Sequence, residues 1–213
     1  MSNSNSARDT KRVPQSNARI IQAAKKVFLA KGYSASLDEV AREAGVGRRT
    51  LYNQFESKDA LLRAMIEALS EDMIAPLFEN ISRDTSREEF LFVCGRRYTE
   101  MMLSEESLQI YRFFVSDLYR HPDLVELSYS AGFERAVAEL AHVLQDHIDA
   151  GRLRPVDAML AADRFLSSIV GSARHRAILG IDHDDAAVRA RALKAAVDNF
   201  LHGLLLPGPS AGG

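Results

Sequence analysis

The sequence predicts an all-α protein of about nine helices. Three observations carry this. Apolar residues recur three and four positions apart along most of the chain. No segment alternates apolar and polar residues between glycine-rich turns, as a half-buried strand would. Capping boxes, glycines and prolines mark starts and stops at helical intervals.

Residues 1–15 are rich in Ser, Asn and basic side chains, bury too little to fold, and are expected to form a disordered basic arm. A helix is expected from Asn17 to Lys31, because Ile20, Ala24, Val27 and Phe28 share one face; Gly32 supplies the left-handed residue that often ends a helix. Ser36-Leu37-Asp38-Glu39 is a capping box, in which the Ser36 hydroxyl accepts from an orphan N–H and Glu39 reaches back. Leu37, Val40, Ala41 and Ala44 follow on one face, and Gly45 ends this helix after about two turns. Gly45-Val46-Gly47 leads into a second short helix, Arg48 to Gln54. There Leu51 and Phe55 point inward, and Arg48, Arg49, Tyr52 and Gln54 do not fit the apolar stripe.

Ser57 caps a longer helix carrying Leu61, Leu62, Met65, Ile66 and Leu69 on its apolar face; Pro76 is expected to kink or break it. Ser86-Arg87-Glu88-Glu89 opens a helix that runs to Leu103, and another spans Glu105 to Arg120, stopping before Pro122. A long helix then reaches Ala150, with Gly132 as a point of irregularity, and Gly151 and Pro155 punctuate its end. Val156 to Leu179 and Asp185 to Leu206 are the last two helices, and residues 207–213 are expected to be a disordered tail.

A chain of 213 residues, 46% apolar and 26% charged, is ordinary for a globular protein and long enough for two modest domains. No apolar run reaches membrane-spanning length and no apolar signal core follows Met1, so a cytoplasmic protein with no membrane partner is expected. The single cysteine, Cys94, can close no internal disulfide; it reads as a small buried hydrophobe, with a redox-sensing thiol as the alternative. His142 and His147 are five apart, poor spacing for one helix face, and no carboxylate completes a metal set, so no metal site is expected. There is no glycine-rich phosphate loop after a strand and no serine elbow. Neither catalytic residues nor a cofactor are expected, and the chain does not read as an enzyme.

The charge is asymmetric. Residues 1–60 hold 11 Lys/Arg against 6 Asp/Glu, whereas the remainder holds 16 against 23. A basic end joined to an acidic body suits a polyanion that meets one end only. Two short helices at a tight glycine turn, packed by a preceding helix, have the helix-turn-helix layout, here motif 36–55 within a domain 16–62. In that layout the second helix offers its N-terminal residues to base edges in the major groove. Arg48 and Arg49 stand there, and an arginine fork matches guanine O6 and N7. Thr50, Tyr52, Gln54, Lys58 and the capped start at Ser36 are placed to reach phosphates.

From Arg19 to Leu62 the sequence closely resembles the N-terminal domain of the TetR/AcrR family of transcriptional regulators. The residues that carry this are Arg19-Ile20-Ile21, Ala23-Ala24, Phe28, Gly32-Tyr33, Val40-Ala41, Ala44-Gly45-Val46, Thr50-Leu51-Tyr52, Phe55 and Ser57-Lys58-Asp59-Ala60-Leu61-Leu62. More loosely, Gly151-Arg152-Leu153-Arg154, Ala161-Ala162, Phe165 and Gly171 resemble the C-terminal domain of the AcrR-related subset. Three positions depart from the family pattern: Gly47, where Ser is frequent; Arg49, where Gly is frequent; and Gln54, where His or Tyr is common. They bear on which operator is read.

The resemblance implies a sequence-specific regulator of double-stranded operator DNA, a repressor by family default, with an activator or a non-specific DNA-binding protein as alternatives. It implies a ligand-binding and dimerisation domain, 63–206, that forms a homodimer through its last two helices. Independently, Leu193, Val197, Phe200, Leu201 and Leu204 form one apolar stripe, and Ala192, Ala195, Ala196, Asn199 and Gly203 a second, small-residue face. Two such faces allow packing on both its own domain and a partner, with Leu193, Ala196, Val197, Phe200 and Leu204 as interface candidates; a fully internal helix is the alternative. The resemblance also implies a pocket for a small apolar or amphipathic effector. Phe90, Tyr98, Met101, Met102, Phe113, Phe114, Phe133, His142, Phe165 and Ile169 are candidate lining residues, plain core packing being the other role open to each.

If Arg8, Lys11 and Arg12 meet phosphates, deleting residues 1–12 flattens the salt dependence of DNA binding. Binding titrations across a salt series check this, and an unchanged slope shows the arm to be idle.

Overall fold

The computed structural model describes residues 6–79, 81, 85–181 and 185–204. The described elements are helical throughout, as the apolar spacing requires: α1 (Ser6–Lys31), α2 (Leu37–Ala44), α3 (Arg48–Gln54), α4 (Lys58–Phe78), α5 (Arg87–Met102), α6 (Glu105–Phe113), α7 (Pro122–Tyr129), α8 (Arg135–Asp149), α9 (Ala158–Ile178) and α10 (Ala186–Leu204). Two π-helical stretches follow α6 and α7, Phe114–Leu118 and Ser130–Glu134. The second contains Gly132 and joins α7 to α8 without a break, so the long helix to Ala150 has its irregularity at the expected glycine.

The chain divides into two compact units, Met1–Asp72 with Gln109–Ala131 and Met73–Leu108 with Gly132–Gly213. This differs from the expected single boundary after residue 62 with 63–206 kept together. Tertiary contacts redraw it. Arg63 on α4 lies 3.7 Å from Asp123 on α7, and Asp117 reaches the loop after α1, so residues 109–131 belong with the first unit, the head.

In the first unit Ile20, Ala24 and Phe28 of α1, Val40 of α2, Leu51 of α3, and Leu61 and Leu62 of α4 are completely buried. This is the face each helix was expected to turn inward. α1, however, begins at Ser6, so residues 6–15 are helical rather than a disordered arm. Once the apolar turns around Ile20 are fixed, each further residue adds a hydrogen bond without a new nucleation cost. The expected tail, 207–213, lies outside the described residues.

α4 runs through Pro76 to Phe78 instead of breaking there. Pro76 lies in the last turns, where the lost i→i−4 bond concerns only the Asp72 carbonyl. Arg97 on α5 compensates at the end, donating to the carbonyls of Pro76 (3.1 Å), Leu77 (3.3 Å) and Glu79 (2.8 Å).

The second unit packs α5, α8, α9 and α10 around Leu91, Cys94, Ala136, Leu140, Ala162, Phe165 and Leu166. α9 is not a plain helix: Gly171 takes φ 31 and ψ −127, a left-handed backbone that a side chain would resist. The apolar stripe of α10 is spent within this unit. Leu193 (3% exposed), Val197 (4%) and Leu201 (5%) belong to its core, and the Phe200 ring lies 4.9 Å from that of Phe165. A Cβ at Gly95 would stand 2.8 Å from Leu193 Cδ1, so the missing side chain on α5 makes room for that leucine. Leu193 and Val197, expected at a dimer interface, are therefore core residues of their own chain; Ala196 and Phe200 are half-buried against the same core, and the Leu204 side chain lies outside the described residues. Of the small-residue face, Ala192, Ala195, Asn199 and Gly203 are exposed, as are Arg191, Lys194, Asp198 and His202.

Leu193→Ala is expected to lower unfolding stability by about 2–5 kcal/mol, as cavity formation does at buried leucines. Denaturant unfolding checks this, and a cost under about 1 kcal/mol shows that the stripe is not packed internally.

Candidate nucleic-acid interface

The interface is built on α2 and α3. Ser36 stands at the N-cap of α2, its hydroxyl accepting from Glu39 N–H at 3.3 Å while the Glu39 carboxylate accepts from Ser36 N–H at 2.8 Å. Lys31 adds 2.7 Å from the other side, and Lys31 with the two Ser36 donors holds the Glu39 carboxyl down to about 2. Gly45 closes α2 at φ 63, where its N–H meets the Ala41 and Arg42 carbonyls; Arg19 donates to the Ala44 carbonyl at 2.6 Å. α3 then starts at Gly47, which gives no side-chain cap.

The sequence-expected residues divide by position. Arg48, Arg49, Thr50 and Tyr52 are exposed on α3, while Leu51 between them is completely buried. Arg48 Nε lies 3.0 Å from Asp38 Oδ1, and its guanidinium carbon 5.5 Å from the Tyr52 ring centroid. Gln54 and Lys58 are half-buried and turned to protein. Gln54 Nε2 donates to Ser16 Oγ on α1, and Lys58 Nζ donates to the Tyr33 carbonyl and lies 4.1 Å from the centre of the Tyr33 ring. Burial lowers the Lys58 pKa.

Tyr33, quoted from sequence only for its family likeness, joins several elements. Its hydroxyl donates to Asp59 Oδ1 at 3.0 Å, its N–H to Asp117 Oδ1 at 3.4 Å, and its ring centroid is 4.0 Å from that of His121. Gly32 precedes it at φ 75, with Asp117 so close that a Cβ would meet Oδ1 at 2.5 Å. Nothing in the local sequence pointed to Asp117 or His121, which lie more than eighty positions away.

The effector candidates separate likewise. Phe90, Tyr98, Phe165 and Ile169 are core residues of the second unit, with Met101, Met102 and Phe133 half-buried against them. Burial pushes the Tyr98 hydroxyl up to about 12, so it is a neutral donor. Arg174, which the sequence reading missed, donates to the Met102 carbonyl at 2.8 Å in this neighbourhood. Phe113 and Phe114 belong to the first unit, and His142 is exposed on α8, where it lines no core. Among the described residues no three His, Cys, Asp or Glu side chains are grouped to hold a metal ion, and no helix is long and apolar enough to cross a membrane.

Residues 20–65 match the family of bacterial regulatory proteins of the tetR type, and residues 89–203, more than half of the chain, match the C-terminal domain of AefR-like transcriptional repressors. The chain belongs to the TetR family of transcriptional regulators. A TetR-family regulator from Mesorhizobium loti MAFF303099 has the same fold at TM-score 0.82, with 27% identity over 92% of this chain and 99% of that one. The Flavonoid-responsive Regulator FrrA superposes at TM-score 0.81, with 28% identity over 92% of this chain and all of FrrA, 100%. YerO, an HTH-type transcriptional regulator of Bacillus subtilis (strain 168), is 28% identical over 146 residues, which cover 58% of this chain and only half, 50%, of YerO. For a TetR-family regulator, α2 and α3 are the helix-turn-helix.

Ser36→Ala is expected to cost about 1 kcal/mol of stability through the lost cap. Glu39, whose folded pKa lies below the usual 4.5, contributes stability that is present above that value and lost as the pH falls through about 2. Urea unfolding of wild type and Glu39→Gln at falling pH is expected to converge at that acid limit; a gap that persists there assigns the effect to something other than the carboxylate.

Proposed function

We propose that this protein is a cytoplasmic, homodimeric repressor that releases its operator when a small apolar or amphipathic molecule binds. One observation supports DNA contact most directly: α3 buries Leu51 completely and leaves Arg48, Arg49, Thr50 and Tyr52 exposed at its start. An arginine pair at the N-terminal end of a recognition helix suits guanine edges in the major groove. Repression follows the AefR-like repressor match, and responsiveness to a flat aromatic compound follows the likeness to a flavonoid-responsive regulator. Dimerisation through α10 then uses its exposed small-residue face (Ala192, Ala195, Asn199, Gly203), since the leucine and valine stripe is occupied. Tyr98 and Arg174 are the polar groups that would orient an effector among Met101, Met102, Phe165 and Ile169.

In this mechanism the two recognition helices of the dimer enter successive major grooves about 34–36 Å apart. An effector that favours another arrangement acts through α4 and through residues 109–131, which hold the Tyr33 loop by Asp117 and His121. It can shift the equilibrium only by its difference in affinity for the two states.

Selection of genomic fragments by the purified protein is expected to return a palindromic motif with half-sites one turn apart; no enriched motif refutes sequence-specific regulation. On that motif, Arg48→Ala and Arg49→Ala are each expected to lose about 1–3 kcal/mol of binding if they read bases. An equal loss on random DNA marks a phosphate contact instead.

A further inference from the structure

The three carboxylates of α2 are each engaged by a basic side chain from a neighbouring helix. Glu43 takes Lys26 at 2.6 Å and Glu39 takes Lys31 at 2.7 Å, both from α1; Asp38 takes Arg48, from α3, at 3.0 Å. The third pair restrains the first residue of the recognition helix. Tyr52 holds the same guanidinium from a second direction, 5.5 Å from its ring centroid. The Arg48 and Asp38 side chains are 69% and 44% exposed, so an outside anion can exchange with the carboxylate. Arg49, one residue further on, has no ion pair or ring contact among the described residues.

We infer that Asp38 sets the affinity of the recognition helix: its carboxylate occupies the Arg48 guanidinium in the free protein, must be displaced by any DNA that takes Arg48, and so weakens binding most where Arg48 contributes most, at the cognate site. This rests on α3 being the recognition helix. On random DNA, Arg48 exchanges a carboxylate for a phosphate, one anion for another, and leaves Asp38 uncompensated before a polyanion. On a site that presents guanine O6 and N7, it gains a bidentate contact worth about fivefold to a hundredfold in affinity. An exposed ion pair is worth at most about fivefold, so only the second exchange is clearly favourable. Adjacent arginines thus act differently. Arg49 meets any acceptor within reach, whereas Arg48 is released only to a contact stronger than its internal one.

A double-mutant cycle tests this, with fluorescence anisotropy of wild type, Asp38→Asn, Arg48→Ala and the double variant on a random duplex and on the selected site, across a salt series. Asp38→Asn is expected to tighten site binding about threefold to fivefold and random-DNA binding less, with the gain at the site vanishing in the Arg48→Ala background. Glu56→Gln, which removes an exposed carboxylate that has no ion pair among the described residues, measures the effect of one negative charge alone. A gain of equal size with and without Arg48, or no larger than that of Glu56→Gln, overturns the inference while leaving α3 at the DNA. If Arg48→Ala and Arg49→Ala change neither affinity, the recognition-helix reading fails instead, and the inference with it. Asp38→Ser, another residue that helix starts accept, repeats the measurement should the asparagine variant melt early.

Discussion

α3 has seven residues, and a helix that short gains too little from its own hydrogen bonds to persist alone in water. Its start at Gly47 has no side-chain cap, and its first turn carries no acidic residue. What keeps it in place is Leu51, completely buried, with Phe55 (6% exposed) at its end. Burying a leucine contributes roughly 1.5–3 kcal/mol, which exceeds what the helix's own caps can supply. The arginines two and three residues before Leu51 are therefore aimed by a hydrophobic contact. α2 is held differently, by a complete capping box at one end and a left-handed glycine at the other, and gives α3 a firm surface to pack on.

Around this small core five of the described basic side chains are engaged within the protein. Arg19 stops the end of α2, Lys26, Lys31 and Arg48 meet the carboxylates of α2, and Lys58 lies over Tyr33 and donates to its carbonyl. Exposed pairs of this kind add little stability individually. Lys58 is engaged differently: it is half-buried, desolvated and turned inward, so a residue with the composition of a phosphate ligand serves to fix the Tyr33 loop in the free protein.

The second unit shows the same division between what packs and what is presented. Its core absorbs Leu193 because Gly95 leaves room on α5, and Cys94 is buried there, its thiol pushed up to about 12 by burial. α10 presents alanines, an asparagine and a glycine beside the charged Arg191, Lys194 and Asp198, and the small residues let another helix backbone approach closely.

The sequence alone determined the helical class, the inward faces of α1 to α4, the caps at Ser36 and Gly45, and the exposure of Arg48, Arg49 and Tyr52. These are local matters: periodicity, capping chemistry and left-handed glycines act within a few residues, and the family likeness from Arg19 to Leu62 lies in the same stretch. Only the tertiary structure decided that residues 109–131 join the head through Asp117 and His121, that Lys58 and Gln54 turn inward, that Asp38 holds Arg48, and which stripe of α10 is buried. Each of those depends on which surface another helix brings within a few ångströms, and an amphipathic pattern states that a face will be covered without stating by what.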